Sequence, residues 1–458
     1  MKIKLYNTLS KKIEEFKPLK SDFVRQYDCG PTVYWYAHIG NMWRYLISDF
    51  LRRTLEYNGY QVKQVMNITD VGHLTEDDLA ADTGLDRMEV AVKRERKTPE
   101  QIAVFYTQAF FKDTERLNLL QPNVAPKATD HIKEMIELVK KLEKKGYAYW
   151  AGDKYFVYDI AKFKNYGQLS GKKLDELQSG ARLEAVPGKK NPFDFALWIK
   201  DPKHLMHWDS PWGTGYPGWH LECSAMSMKY LGPTLDIHTG GEDNIFPHHE
   251  NEIAQSEAAT DKKFVRYWLH IRHNLVGGVK MSKSKGNVYL IQDLIDKGYD
   301  PLAFRYLCLT VHYRKNFNFT WKSLTGAEKA LNKLRQQIVA WPVGKKTIPE
   351  FEKKFLEAIN HDLEMPRALA VVWDLLKSNY PEAEKKATLL KFDQVLGLGL
   401  ADYRLAKPPK KVEALVKKRE ALRKKGKWQE ADKLRQAIKK LGWQLEDTAK
   451  GIKLKPVL

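Results

Sequence analysis

Between Val24 and Met66 the chain writes a strand, a corner, a helix and a second strand, and no other feature constrains its fold as tightly. Val24 to Cys29 reads as a short strand, which Cys29-Gly30-Pro31-Thr32 breaks. A long apolar periodicity follows from about Asn41, with Trp43, Leu46, Ile47, Phe50, Leu51 and Leu55 on one helical face. Gln61 to Met66 alternates around Val62 and Val65 as the next strand. Strand, helix and strand in this order are the unit of a parallel sheet, so an α/β fold is expected. A Gly/Pro corner in such a sheet presents backbone N–H groups and a positive helix end to phosphates. The segment Ala37-His38-Ile39-Gly40-Asn41 sits there. Gly40 lets a flat ligand approach the backbone, and the His38 imidazole can stabilise charge that builds up at the α-phosphate of a triphosphate. The alternative reading of His38 is a helix cap or packing residue.

The chain has 458 residues, which at roughly 150 per domain suggests about three domains. Lys and Arg number 77 against 57 Asp and Glu, a net charge of +20 that points to a polyanionic partner. No apolar run is long enough to span a bilayer, and Met1-Lys2-Ile3-Lys4-Leu5-Tyr6 lacks the apolar core of a signal peptide, so a cytoplasmic protein is expected. Three cysteines, Cys29, Cys223 and Cys308, stand far apart. Their odd number argues against a disulfide framework and leaves metal binding, catalysis or core packing.

Along the chain, Met1 to Lys20 reads as a strand pair or arm. An acidic loop is expected over Thr75–Asp86, and helices over Thr98–Leu117, opened by Thr98-Pro99, and over His131–Lys145, ending at Gly146. Tyr147 to Lys200 loses the strand–helix rhythm and alternates aromatics at Tyr155, Phe156 and Tyr158. We expect an insertion on one edge of the sheet, its aromatics either core or in contact with nucleic acid. Gly213 to His220 is glycine-rich and reads as a loop opening onto a helix at Leu221; Trp219 could pack against a substrate. Leu235 to His238 reads as a strand, Thr239 to Asp243 as a turn, and Phe246 to Ala259 as a helix opened by Pro247, on which His248 and Glu252 share a face at i, i+4. A thiolate, an imidazole and a carboxylate are ordinary zinc ligands, so Cys29, Cys223, His248 and Glu252 could form one site; the alternative is buried cysteines and satisfied histidines. Val279 to Asn287 alternates Lys and Ser behind Gly277-Gly278, a loop of cations and hydroxyls suited to pyrophosphate.

Helix 301–309 makes Cys308 most simply a core residue. Gly326–Ala340 and Phe351–Ser378 read as amphipathic helices, Ala406–Lys411 as a linker, Val412–Lys440 as a basic helix pair turning at Gly426, and Trp443–Lys455 as a strand pair.

The motifs Cys29-Gly30-Pro31-Thr32-Val33-Tyr34, Ala37-His38-Ile39-Gly40-Asn41, Gly218-Trp219-His220-Leu221-Glu222-Cys223-Ser224-Ala225-Met226, Phe246-Pro247-His248-His249-Glu250-Asn251-Glu252 and Lys280-Met281-Ser282-Lys283-Ser284 together closely resemble cysteinyl-tRNA synthetases, which are class I aminoacyl-tRNA synthetases. The resemblance covers nearly the whole chain. It implies a Rossmann-like catalytic domain with an insertion, then a helical bundle and a small basic C-terminal module. The expected bounds are 1–130 and 211–275 for the catalytic halves, 131–210 for the insertion, 276–325 for the lysine-loop region, 326–405 for the bundle and 406–458 for the module. It implies one Zn2+ on Cys29, Cys223, His248 and Glu252, taking the substrate thiolate. It implies ATP, with Mg2+, at His38, Gly40, Asn41, Trp219, Gly240, Asp243 and Lys283, and the amino acid at Thr32, Trp219 and His220. His38, Asn41, Lys280 and Lys283 would serve catalysis, and Trp428, Arg435 and Trp443 would meet the anticodon. The expected partners are tRNA(Cys), L-cysteine and ATP, with no membrane, for a monomer.

Two departures stand out. Asn41 occupies a position that is histidine across the class, although asparagine looks usual for the cysteine branch; and Val71-Gly72-His73 replaces an acidic pair of many relatives. Two other readings remain: a ligase joining cysteine to an amino sugar, against which the basic C-terminal module counts, and a silent RNA-binding relative, against which the intact His38 and lysine-loop motifs count. Cysteine is nearly isosteric with serine, and shape alone separates such pairs by only about 1–3 kcal/mol. A metal preferring a soft thiolate supplies more.

Overall fold

A computed structural model describes residues 2–71, 86–172, 187–281, 287–404, 409–448 and 451–456. Gly72, His73, Lys283 and all of the expected acidic loop except Asp86 lie outside the described residues. For Lys280 only the backbone is described.

The N-terminal strands β1 (Lys4–Asn7) and β2 (Lys12–Glu15) pair antiparallel as the expected arm. The chain then enters the expected parallel unit: β3 (Phe23–Asp28), α1 (Ile39–Tyr57) and β4 (Gln61–Met66). Helix α1 starts two residues before the apolar periodicity suggested, because His38 caps it. Ile39, Met42, Trp43, Leu46, Phe50 and Leu55 are buried against the sheet, each contributing about 1.5–3 kcal/mol of apolar transfer. Strands β9 (Leu235–Gly241) and β10 (Val265–Ile271) complete a four-stranded sheet of order β10-β9-β3-β4, parallel throughout. From β3 the order runs outward to β4 on one side and to β9 and β10 on the other. This is the reversal point where open α/β sheets leave a crevice at the carboxyl ends of their strands.

Two helices follow Asp86: α2 (Arg87–Glu95), which the sequence does not announce, and α3 (Pro99–Arg116), which carries the expected Thr98 cap. The sequence between the two halves of the sheet does more than decorate its edge. Strands β5 (Ala148–Ala151), β6 (Tyr155–Tyr158), β7 (Phe195–Lys200) and β8 (Gly215–Pro217) form their own antiparallel four-stranded sheet. Its core joins α4 (Ile132–Lys144) to stacked aromatics: Tyr158 lies 4.9 Å from Phe195 and Phe156 lies 5.2 Å from Trp212. Gly215 to Pro217, expected in a loop, is thus the last strand of this sheet. It places α5 (His220–Leu231) directly behind it.

Beyond the lysine loop the bundle is built from α9 (Trp321–Ala340), α10 (Pro349–Asn360), α11 (Met365–Lys377) and α12 (Glu382–Leu396), after α7 (Ile291–Asp296) and α8 (Pro301–Leu309). The single helix expected over Phe351–Ser378 is broken at Asp362 and Leu363, both at positive φ. The break is held by tertiary contacts, since the Asp362 carboxylate accepts from Tyr6 N, Tyr313 Oη and Arg314 Nε. The C-terminal residues form α13 (Lys410–Lys424), α14 (Trp428–Lys440) and the antiparallel pair β11 (Trp443–Thr448) and β12 (Gly451–Pro456), around a core of Val412, Ile438, Trp443 and Leu445. Among the described residues no helix is long and apolar enough to cross a membrane.

Candidate metal and nucleotide site

Four residues from separate elements converge at the crevice. Cys29 follows β3, Cys223 lies in the first turn of α5, and His248 and Glu252 face the same way one turn apart on α6 (His248–Thr260). One ligand atom from each lies within 4.8 Å of all the others, and all four residues are buried. The backbone here is pinned by a close approach. A Cβ at Gly30 would lie 1.6 Å from the Asn67 carbonyl oxygen, so only glycine permits the turn after Cys29. Asn67 Oδ1 accepts from Gly30 N at 2.7 Å and faces Cys223 Sγ at 3.8 Å, tying both cysteines to the end of β4.

The donor set fits a divalent cation. Glu252 Oε2 accepts from His238 Nε2 at 3.0 Å, while Oε1, 3.1 Å from His248 Nε2 and 3.8 Å from His249 Nε2, receives no well-aligned hydrogen bond although it is buried. Burial disfavours charge on Glu252, yet His238 and His248 outweigh it and hold the carboxyl down to about 2. Burial likewise opposes a proton on His248, but Cys223 and Glu252 lift its pKa to about 10. The neighbouring Cys29 thiol, then burial, pushes Cys223 well above its ordinary value. With protons alone in the cluster, His248 therefore carries the positive charge and Cys223 stays a thiol. A cation among these atoms would displace those protons. Two sulfurs, an imidazole and a carboxylate suit zinc.

A ring of histidines surrounds the four. His220 Nδ1 lies 2.9 Å from His248 Nδ1, and Cys29 Sγ lies 3.2 Å from His249 Nε2. His249 Nδ1 is in turn 2.8 Å from His270 Nε2, and His270 Nδ1 2.8 Å from Thr8 Oγ1. Burial, then the other histidines, pushes His249 far below its ordinary pKa; burial, then His238, brings His270 to about 3. Both rings are thus neutral and can pass hydrogen bonds along the chain. His238, His249 and His270 escaped the sequence reading; His249 stood beside an expected ligand, but only the register of β9 and β10 brings His238 and His270 to it.

Cys29, Cys223 and His248 floor a cavity of about 300 Å³ whose walls include Thr32, Tyr34, Trp35, His38, Asn41 and Trp219. A second cavity of about 220 Å³ adjoins it and is lined by His38, Gly40, Asn41, Gly241, Asp243 and Asn274 among others. His38, Asn41, Arg44, Asn244 and Met281 face both. His38 is a helix cap and a cavity residue at once. Its Nδ1 accepts from Asn41 N at 3.2 Å while its own N donates to Asn41 Oδ1 at 3.0 Å, so the neutral ring carries its proton on Nε2. A Cβ at Gly40 would meet the flexible end of Met281 at 2.7 Å and the His38 ring at 3.0 Å, so this backbone packs closely beside both side chains.

Of the other expected contacts, Gly240 lines neither cavity; its Cα packs on the His249 ring, and the neighbouring Gly241 takes the lining position. His220 lies behind His248 rather than on the cavity wall. Asp243 is held by His273 Nδ1 at 3.2 Å. The sequence reading missed Arg44. It lies three residues after Asn41 on the same helical face, donates to Asn244 Oδ1 at 3.3 Å and Gly30 O at 3.4 Å, and keeps a buried Nε without a partner in line.

A fold with its crevice at this reversal point, two adjoining cavities behind a His-x-Gly-Asn corner and a thiol-rich floor is that of a class I aminoacyl-tRNA synthetase. Residues 15–329 match the family described as tRNA synthetases class I (C) catalytic domain, and residues 407–453 match the cysteinyl-tRNA ligase anticodon binding domain. The chain is 48% identical to the cysteine–tRNA ligase 1 of Burkholderia lata, covering 99% of this chain and 97% of that one, and 41% identical to the cysteine–tRNA ligase of Thermus thermophilus, covering 98% of each. A solved Mycobacterium tuberculosis methionyl-tRNA synthetase bound by methionyl-adenylate shares the fold, with a TM-score of 0.56 at 14% identity over 83% of this chain and 90% of that one. The chain belongs to the cysteine–tRNA ligase family. Its reaction is the ligation of cysteine to tRNA.

Proposed function

We propose that one zinc ion, held by Cys29, Cys223, His248 and Glu252, selects L-cysteine for this reaction. The observation that carries the reading is the convergence of those four buried donors, three of which, Cys29, Cys223 and His248, line the cavity that His38 and Asn41 also line. Zinc would supply a soft position at which a substrate thiolate binds and a serine hydroxyl does not. The chain's own residues do the rest. His220 orients the His248 ring through its Nδ1, His249 donates to the Cys29 sulfur, and Trp219, 4.4 Å from His248, walls the substrate side chain. ATP, carried with Mg2+, occupies the second cavity. There the His38 Nε2–H faces charge developing on the α-phosphate as the cysteine carboxylate attacks and pyrophosphate leaves. Arg44, at the junction of the cavities, is placed to meet the carboxylate or the phosphate. Lys280 and Lys283 of the neighbouring loop would hold the leaving pyrophosphate.

The second step passes the cysteinyl group to the terminal ribose of tRNA(Cys), whose anticodon the module at 407–453 engages, with Trp428, Arg435 and Trp443 as contact residues. That module counts against an amino-sugar ligase, and the intact His38 corner counts against a silent relative. We further propose that the chain acts as a monomer in the cytoplasm. The test is cysteine-dependent exchange of pyrophosphate into ATP, followed by transfer to tRNA, with zinc measured on the same preparation. Exchange without bound zinc would overturn the metal reading and leave the ligase activity standing.

A further inference from the structure

The transfer step sets a requirement that the two cavities leave open. The terminal ribose must reach the adenylate, so the unpaired 3′ end of the tRNA has to cross the wall of the first cavity. Tyr34, Trp35, Tyr36 and Arg87 form part of that wall, and the α2–α3 hairpin continues it outward. Tyr36 stands edge-on to Tyr106 at 4.9 Å and to Phe105 at 6.0 Å, and Trp35 lies 6.0 Å from Tyr106. Cations sit on these rings: Arg94 lies 3.9 Å over Trp35 and donates to the Tyr34 carbonyl at 3.0 Å, and Lys97 lies 4.6 Å over Phe105.

The inner face of the hairpin is closed by Met88, Ala91, Ile102, Ala103 and Tyr106. Core packing therefore does not account for what remains outside. Phe105 is 40% exposed, Val104 46% and Val90 43%, so large apolar groups of the hairpin stand in water, and Phe105 among them reaches the wall residue Tyr36. Between Arg87 and Lys97, five basic residues face two acidic ones. Exposed aromatic faces interleaved with cations are the equipment of a single-strand nucleic-acid platform, where bases stack and phosphates meet positive charge. A lipid or an apolar peptide has no use for cations seated on the rings.

We propose that the outer face of α2 and α3, centred on Phe105 with Lys97 and Arg96 beside it, docks the unpaired 3′ end of the tRNA on its way into the first cavity. The proposal rests on the family's reaction and adds the surface that receives the substrate. Phe105→Ala removes a stacking face and Lys97→Ala a cation, and neither residue touches the cavities. Each should raise the KM for full-length tRNA, by about tenfold for Phe105→Ala. Cysteine-dependent pyrophosphate exchange should stay at its wild-type rate, and Phe105→Trp should restore the KM. A tRNA lacking its unpaired 3′ nucleotides should inhibit wild type and Phe105→Ala with the same Ki. In the wild-type chain, a photoreactive base near the tRNA 3′ end should cross-link to the hairpin. An unchanged KM for full-length tRNA, an equal weakening of the shortened tRNA, or cross-links confined to other segments would each overturn the docking surface while exchange stands. Absence of exchange in the wild-type chain would overturn the activity, and the docking surface with it.

Discussion

Cys29 Sγ and His249 Nε2 lie 3.2 Å apart, and the contact gives His249 a direction. With His270 and Thr8 behind it, the neutral ring donates through Nε2 to the sulfur and accepts through Nδ1. A donor on a ligating thiolate spreads its charge and fixes its position, and loss of such a partner typically costs 10- to 100-fold in metal affinity. His249→Ala should weaken zinc retention by about tenfold or more against a competing chelator, and His270→Ala by less, since it acts through His249. In a cobalt-substituted protein the thiolate absorption should move in His249→Ala. Unmoved absorption and retention would make His249 a packing residue only.

The four proposed ligands can be tested with the substrate itself. Cys223→Ser should lower bound zinc below about one per chain. Adding cysteine to the cobalt form of the wild-type protein should strengthen the thiolate band, and serine should leave it unchanged because its hydroxyl stays protonated at neutral pH. A spectrum indifferent to cysteine would remove the metal from substrate selection.

His38 serves as a cap and faces the nucleotide cavity, and one substitution separates the roles. His38→Ser supplies another good N-cap, so stability should change by less than about 1 kcal/mol. Adenylate formation should nevertheless fall by a barrier of about 3 kcal/mol, the scale of losing one donor to a developing charge. Pyrophosphate exchange at the wild-type rate in a well-folded His38→Ser variant would reduce His38 to its cap.

A buried ion pair joins α1 of the catalytic half to α8, whose Arg305 also holds the end of the bundle helix α12, and it makes a pH prediction. Arg305 donates to Asp49 Oδ2 at 2.5 Å, to Leu396 O at 2.6 Å and to Leu117 O at 3.0 Å, and Arg53 meets the same carboxylate at 2.8 Å. Burial disfavours the Asp49 charge, but Arg305 and Arg53 overcome it and hold its pKa below the ordinary value. A carboxyl depressed in the folded state contributes stability above its unfolded pKa of about 3.9 and loses it as pH falls through the folded value. Asp49→Asn should therefore destabilise by about 3–5 kcal/mol at neutral pH. The gap to wild type should hold constant down to about pH 4 and narrow below it. Denaturant melts across pH read this directly; a gap independent of pH to the acid limit would show that the charge is not what Arg305 needs.

Which of these residues the sequence reveals follows from how each is placed. Local rules sufficed for Cys29 at a strand end, for His248 and Glu252 one helical turn apart, and for α1, because spacing along the chain fixes those geometries. Arg44 was within reach of the same rule, three residues beyond Asn41, but an arginine on a helix is commonly a solvated residue and carries no motif. His238 and His270 are single residues on neighbouring strands, and only the β9–β10 register, with Gly240 opposite His270, sets both against His249. The break at Asp362 was equally hidden, since a non-glycine residue at positive φ is paid for by Tyr6, Tyr313 and Arg314, remote in sequence.

The C-terminal module offers the cleanest separation of the two half-reactions. Val412, Ile438, Trp443 and Leu445 form a core of their own, distinct from the clusters beneath the crevice and the bundle. Every described residue that lines the two cavities precedes Val288 or is Val288 itself. Ending the chain near Lys407 should therefore leave the catalytic half folded and cysteine-dependent pyrophosphate exchange within about twofold of the full chain. Charging of tRNA should weaken through a raised KM, because the lysines and arginines of α13 and α14 would no longer neutralise phosphates. For the same reason the dependence of log KM on log salt should become shallower, by about one unit of slope for each phosphate contact removed. Measured against salt, a chain whose tRNA KM rises at every concentration but whose slope is unchanged would assign the module to base or shape contacts rather than to phosphate. Equal loss of exchange and charging would make residues 407–453 part of the catalytic unit.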